Sequence, residues 1–410
     1  MKKILVLMLL TVFCSAAELD LLEDHKKVNL YKKDFKYPYF NVSEEDRNTY
    51  KKINSIILSG DYERAKKIAT RFYNNKHSYD NKNKIAEQLS NIALGNVYEA
   101  NGDIYKWKYM HLESLKFFLS KEKNNLAFSD YMFGILELQD ILIFTEKKER
   151  VQNILNILKG EIMEDKSVFT KESMNLALMN IELVNAKMAY KLHFKDAALM
   201  HLAKSENKLK KIYTYYSLNE AHLLLLKANI IYDLSGDNSK TLQVLKEAYI
   251  VSKKLIKKEG LLDKSAFLAD IYYFIGNILS SGTKQKESVD YLIKARDIYK
   301  KTKLNNKLLN TEFQLINTYK LLKKLDLAST EIKFSLKLAK NTFGLESIEY
   351  ADVLIAKADT FNSNGDYTES LNLMKEAKRI YTLKYGKYSK EVKMLNSTLN
   401  YINLQLERYL

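Results

Sequence analysis

The chain has 410 residues, 46% hydrophobic and 28% charged, with a net charge of +16. It carries only 12 glycines and one proline, far below the usual usage of about 7% and 5%. So few turn formers exclude a sheet fold, and a lone cysteine, Cys14, excludes a disulfide framework.

Lys2 and Lys3 precede an apolar run from Ile4 to Phe13, and Ser15-Ala16-Ala17 follows it. Basic, apolar and small residues in that order make a secretory signal peptide. Residues 1–17 are therefore expected to be a leader cleaved near Ala17. Lipid anchoring at Cys14 fits less well, because bulky Phe13 stands where a small residue is wanted. No later run approaches the ~18 apolar residues of a membrane span. The mature chain is expected to be exported to the periplasm, cell surface or medium, without a span.

Residues 18–45 form an N-terminal arm ending in Tyr37-Pro38-Tyr39-Phe40 and Ser43-Glu44-Glu45-Asp46. The aromatics either cap the first hairpin or form a docking strand. Ser43 with its three acids reads as a helix start, an N-cap serine followed by charges that suit the helix dipole.

From here a unit recurs at steps of about 40 to 47 residues, a repeat-protein period. Its marker is a small residue or Gly, then Asp: Gly60-Asp61, Gly102-Asp103, Gly236-Asp237 and Gly365-Asp366. Ala351 to Tyr381 displays one whole unit. Leu354, Ala358 and Phe361 form a stripe on its first helix. Ser370, Met374, Ala377 and Tyr381 form one on its second. Gly365 sits between, where glycine turns left-handed without a steric cost. One hairpin cannot bury both stripes alone, so hairpins must stack. The last segment has Val392, Leu395, Leu399, Ile402 and Leu406 on one face and no partner helix after it, the pattern of a terminal cap.

These motifs resemble the tetratricopeptide repeat family. Leu94-Gly95-x-x-Tyr98-x-x-x-Gly102 and Ile275-Gly276 match its first-helix pattern. Ala65, Ala198 and Ala328 match its early second-helix small residue, and Ala248, Ala295 and Ala377 its later one. The long step, with Phe343-Gly344 and Tyr385-Gly386 after second helices, is similar to the repeat of kinesin light chains, without the usual His-Pro. The resemblance covers residues 46 to 410 and is weakest from Leu119 to Lys210. It implies an all-α fold: a right-handed α-solenoid of about eight antiparallel helix pairs over residues 46–386, with a capping helix over 387–410. Trp107 stands where a small residue is expected, so either that hairpin is splayed or the register slips.

Catalytic signatures are missing: no G-x-S-x-G, no phosphate-binding glycine loop, no H-E-x-x-H. His193, His201 and His222 have no i, i+4 spacing for a metal, so scattered, half-exposed histidines are expected. The expectation is a non-enzyme with no cofactor and no metal. In the resembling family, ligands lie along the concave stripe of the first helices. The residue after the small first-helix position is Asn54, Asn96, Asn277, Asn317 and finally Asp359. An amide offers donors and an acceptor to the backbone of an extended peptide. These five are the candidate groove residues.

The basic residues are 59 Lys against 7 Arg. Lysine is a hydrated point charge, less suited than arginine to bidentate phosphate recognition. A weak contact with an anionic envelope surface is expected, and no specific nucleic acid. The function read from the sequence is an exported protein-interaction scaffold or adaptor of a bacterial envelope, binding an extended segment or partner helix. A receptor for a secreted peptide, or an accessory subunit holding an anionic polymer for an enzyme, stand as alternatives.

Overall fold

In the computed structural model, residues 42–58, 60–78, 83–120, 126–164, 171–212, 218–259 and 266–409 are described. The expected leader and almost all of the expected arm lie outside them. The described residues form eighteen helices and no strand. They make eight helix pairs and one terminal helix: α1 (Glu44–Leu58) with α2 (Tyr62–Lys76), α3 (Lys84–Ala100) with α4 (Ile104–Leu119), α5 (Phe128–Glu137) and α6 (Gln139–Thr145) with α7 (Lys148–Glu164), α8 (Lys171–Lys191) with α9 (Lys195–Ile212), and α10 (Leu218–Ser235) with α11 (Asn238–Glu259). Then come α12 (Ala266–Ser281) with α13 (Gln285–Lys301), α14 (Asn305–Leu321) with α15 (Leu325–Phe343), α16 (Ile348–Ser363) with α17 (Tyr367–Tyr385), and last α18 (Lys390–Tyr409). The all-α helix-pair fold is thus as expected. The chain divides into two compact units, the first ending at Leu268 and the second beginning at Ala269.

The Gly-Asp marker has a two-part physical role. Gly102 turns at φ 79° and Gly365 at φ 83°. Asp103 then caps α4 by accepting from the Lys106 amide at 3.2 Å, as Asp61 and Asp237 do for α2 and α11. Such caps contribute about 1 kcal/mol each. His193 and Lys323 make the same left-handed turn without glycine, at φ 63° and 57°. Ser43 is an N-cap as expected, accepting from the Asp46 amide at 3.1 Å.

One register runs through both units. The fourth residue of each second helix is Ala65, Trp107, Val151, Ala198, Thr241, Ser288, Ala328 or Ser370, and every one is buried. Seven residues on, on the same helical face, stand Phe72, Ser114, Leu158, Ser205, Ala248, Ala295, Ser335 and Ala377, also all buried. Trp107 therefore keeps the register. Twelve residues before the first set comes the close-approach position of the first helix. A Cβ on Gly95 would lie 2.2 Å from His111, and one on Gly276 would lie 2.7 Å from Leu292. Short side chains here let the two helices of a pair interlock.

In the first unit the core is one continuous cluster from Val42 to Ile230. Helices α8 and α10 are buried nearly all round, as apolar residues on every face require. In the second unit, Ala358 and Met374 pack with Leu395, Leu399 and Ile402 of α18, which covers the end of the last pair as expected. An acid early in a first helix takes a donor from the last turns of its own second helix in both units. Asp46 pairs with Lys76 at 2.7 Å in the first. In the second, Tyr299 donates to Asp270 at 2.6 Å and Tyr381 donates to Asp352.

Candidate functional site: the first-helix face

The close-approach position fixes which residue comes next on the candidate stripe. In the first unit that residue is Asn54, Asn96, Asp140, Lys187 and Ile230 in successive pairs. In the second it is Asn277, Asn317 and Asp359. The five expected residues thus share one register, and Asp140 and Lys187 join them. Neither stands out in the sequence, because the repeat motif is too degenerate between Leu119 and Lys210 to show its register. Their signal was opposite charges at the same place in adjacent pairs.

In the first unit these side chains bond to one another. Asn96 Nδ2 donates to Asn54 Oδ1 and to the Tyr50 hydroxyl, both at 3.4 Å. Tyr50 in turn donates to Glu137 Oε2 at 2.7 Å, reaching from the first pair to the third. Lys187 Nζ donates to both carboxylate oxygens of Asp140, at 2.8 and 3.1 Å. Lys191 donates to the Ile143 carbonyl and Tyr190 to Asp233. Beside this seam, Leu89, Ile92, Phe133, Leu136, Leu183, Leu223 and Leu226 are buried. Asn54 is itself buried. This face is filled by the chain's own packing.

Electrostatics follow the burial. The Lys187 side chain is 1% exposed. Burial pushes its pKa down, and the Asp140 carboxylate opposes that shift. Burial also raises the Tyr190 hydroxyl, with the bond to Asp233 adding to it, and lowers Lys191.

The second unit differs. Asn277 is half-buried, and Asn317 and Asp359 are exposed. None of the three side chains has a hydrogen-bond partner among the described residues. The Asp359 carboxyl is raised by the surrounding protein, with Lys320 opposing the shift. Around them the scaffold is tied down. Lys307 of α14 donates to Asp270 of α12 at 2.8 and 2.9 Å. Ser280 and Thr318 share a hydrogen bond at 2.7 Å between the same two helices.

Behind this face lies Glu312, fully buried in α14, with no hydrogen-bond donor on either carboxylate oxygen. Burial first and Glu331 second raise its pKa to about 8. Arg296 reaches Glu331 at 3.2 Å.

Of the described histidines, His77 and His193 are exposed, His201 is half-buried, and His111 and His222 are buried. His111 is buried against Gly95, where burial holds its pKa down at about 4. His222 is buried and stacks on Phe267, with centroids 4.3 Å apart. His201 pairs with Glu182 at 2.7 Å. The half-exposed expectation fails for His111 and His222, because each fills a contact that the register leaves between helices. No group of three metal-ligating side chains occurs among the described residues. None of the described helices is long and apolar enough to cross a membrane.

No family model matches the chain, and no curated protein matches it. Solved structures do resemble it. A putative kinesin light chain from Podospora anserina, with nearly identical TPR-like repeats, aligns at TM-score 0.44 and 14% identity over 50% of this chain and 95% of its own. A Rap protein complexed with Competence and Sporulation Factor aligns at TM-score 0.43 and 15% identity over 90% and 99%. Aspartyl phosphate phosphatase F from Bacillus subtilis aligns at TM-score 0.45 and 10% identity over 90% and 96%. At such scores these are resemblances only, and the repeat architecture rests on the helix pairs and their shared register.

Proposed function

We propose that the protein is an exported interaction scaffold that holds an extended segment or a helix of a partner protein on the first-helix face of its second unit. The observation that carries this reading is a contrast within one register. The first unit turns its stripe residues onto each other. Asn277, Asn317 and Asp359 hold the same place in the second unit without side-chain hydrogen bonds among the described residues. An unpaired amide beside a peptide backbone satisfies an N–H and a C=O without selecting a side chain. Asp359 adds a carboxylate for a donor or a cation. Asn54 and Asn96, though in register, serve the closed face instead. The reading includes no cofactor and no catalysis.

Export rests on the basic, apolar and small order of residues 1–17, and with it the place of work in a bacterial envelope. The test is selection of short random peptides on the full chain. Enriched binders are expected to lose affinity by tenfold or more, about 1.4 kcal/mol, in Asn317→Ala and Asp359→Ala. Asn54→Ala and Asn96→Ala leave binding unchanged. No enrichment, or equal losses in all four variants, overturns the assignment.

A further inference from the structure

The charges of this chain are sorted between the two helices of each pair. The eight second helices hold 34 Lys and Arg against 16 Asp and Glu. The first helices, of similar total length, hold 11 against 17. Acids are thus shared evenly, and only bases are concentrated. Solvation alone would enrich both signs on the more exposed helices. A net positive charge on so many second helices attracts an anionic partner.

The sorting is pronounced on α9 and α11, the second helices that flank α10 in the first unit, with five bases against two acids and six against two. On α9, Met200, Lys204, Lys208 and Lys211 stand one turn apart on the outward stripe. On α11, Lys246, Ile250 and Lys253 do the same. Met200 is 47% exposed and Ile250 is 50% exposed. None of these five lysines pairs with a carboxylate among the described residues. Apolar side chains standing out among unpaired lysines suit a lipid interface. The chains enter the headgroup layer while the ammonium groups stay with the phosphates. A soluble polyanion gains nothing from Met200 and Ile250. Lysine rather than arginine also fits diffuse attraction better than bidentate reading of nucleic-acid phosphates.

We infer that the outward stripes of α9 and α11 dock the protein on an anionic lipid surface, leaving the first-helix face of the second unit for a protein partner. The docking is electrostatic and reversible, and it is weakened by salt. The two activities use different residues, so each survives the failure of the other.

The test is flotation of the full chain with phosphatidylcholine vesicles, with and without phosphatidylglycerol, together with hydrogen exchange. Binding is expected only with phosphatidylglycerol, with slowed exchange in α9 and α11. Each Lys→Gln change on the stripes lowers partition about fivefold, the worth of one lysine near such a surface. K204Q/K208Q/K211Q therefore falls on the order of a hundredfold. The pair M200S/I250S also weakens binding several-fold. These side chains are on the surface, and unchanged circular dichroism confirms that the variants fold. Equal binding to both vesicles overturns the inference. So does unchanged exchange in α9 and α11 alongside wild-type binding by the triple variant. Dextran sulfate protecting the same helices, with M200S/I250S silent, assigns the face to a soluble polyanion and overturns the lipid assignment.

Discussion

The Asp140–Lys187 pair is the sharpest test of the closed face in the first unit. At 2.8 Å, and with an effective dielectric near 20, the attraction is on the order of 6 kcal/mol. Desolvating the lysine offsets much of it. The side chains differ in exposure, 1% for Lys187 and 22% for Asp140. Removing either partner is therefore not symmetric. Asp140→Ala strands a buried ammonium, and the expected loss is about 3–5 kcal/mol. Lys187→Met strands a carboxylate that reaches water, and about 1–2 kcal/mol is expected. D140L/K187M removes both charges and should return close to wild type. Because the chain has two compact units, a single global transition is not assumed. Hydrogen exchange in α6 and α8 reads the local free energy instead. The lysine already has a depressed pKa in the folded state. The damage in Asp140→Ala should therefore shrink as pH rises toward the unfolded lysine value, where the neutral amine is tolerated. A change below about 0.5 kcal/mol in Asp140→Ala, or a larger loss in Lys187→Met, refutes the reasoning.

Three further outcomes follow from the same structure. Ala377→Arg places a charged chain at a fully buried contact between helices, and unfolding of the second unit in urea should show a loss of several kcal/mol; unchanged melting would mean the register is wrong. Gly95→Ala drives a methyl group into His111 and should cost about 1–3 kcal/mol, much of it recovered in G95A/H111A; equal stability of Gly95→Ala and wild type would mean the helices can part freely. Glu312 has a folded pKa raised to about 8, above its unfolded value near 4.5, so its contribution is present at acid pH and is lost as pH rises through 8. Glu312→Gln should flatten that decline between pH 4.5 and about 8, and an unchanged pH profile would show that Glu312 is not its source.

The fold was legible wherever the turn chemistry was explicit. Gly60, Gly102, Gly236 and Gly365 each announce a left-handed turn, and the aspartate after each stands at the start of the next helix. The third and fourth pairs were faint for a physical reason. Val151 and Leu158 fill the places that alanine and serine hold in most other pairs, and His193 makes its turn without glycine. Burial at the fourth and eleventh positions is what the fold requires, and several side-chain sizes meet that requirement. The asparagine register was legible too. Its environment was not, because periodicity cannot tell an open stripe from one closed by Tyr50 and Glu137, which meet across two pairs. One signal was available. Residues 221–231, AHLLLLKANII, leave almost no polar face for solvent, as expected of a helix enclosed on all sides. A buried His111 was invisible because its place depends on the missing Cβ of Gly95 across the pair.

The most direct test places a photo-crosslinking residue at Asn317, at Asp359 and, as a control, at Asn96 in the full chain, and irradiates intact cells that express it. The account predicts adducts with a common protein partner from Asn317 and Asp359 and none from Asn96. Adducts from Asn96 alone, or none from either position of the second unit, contradict it.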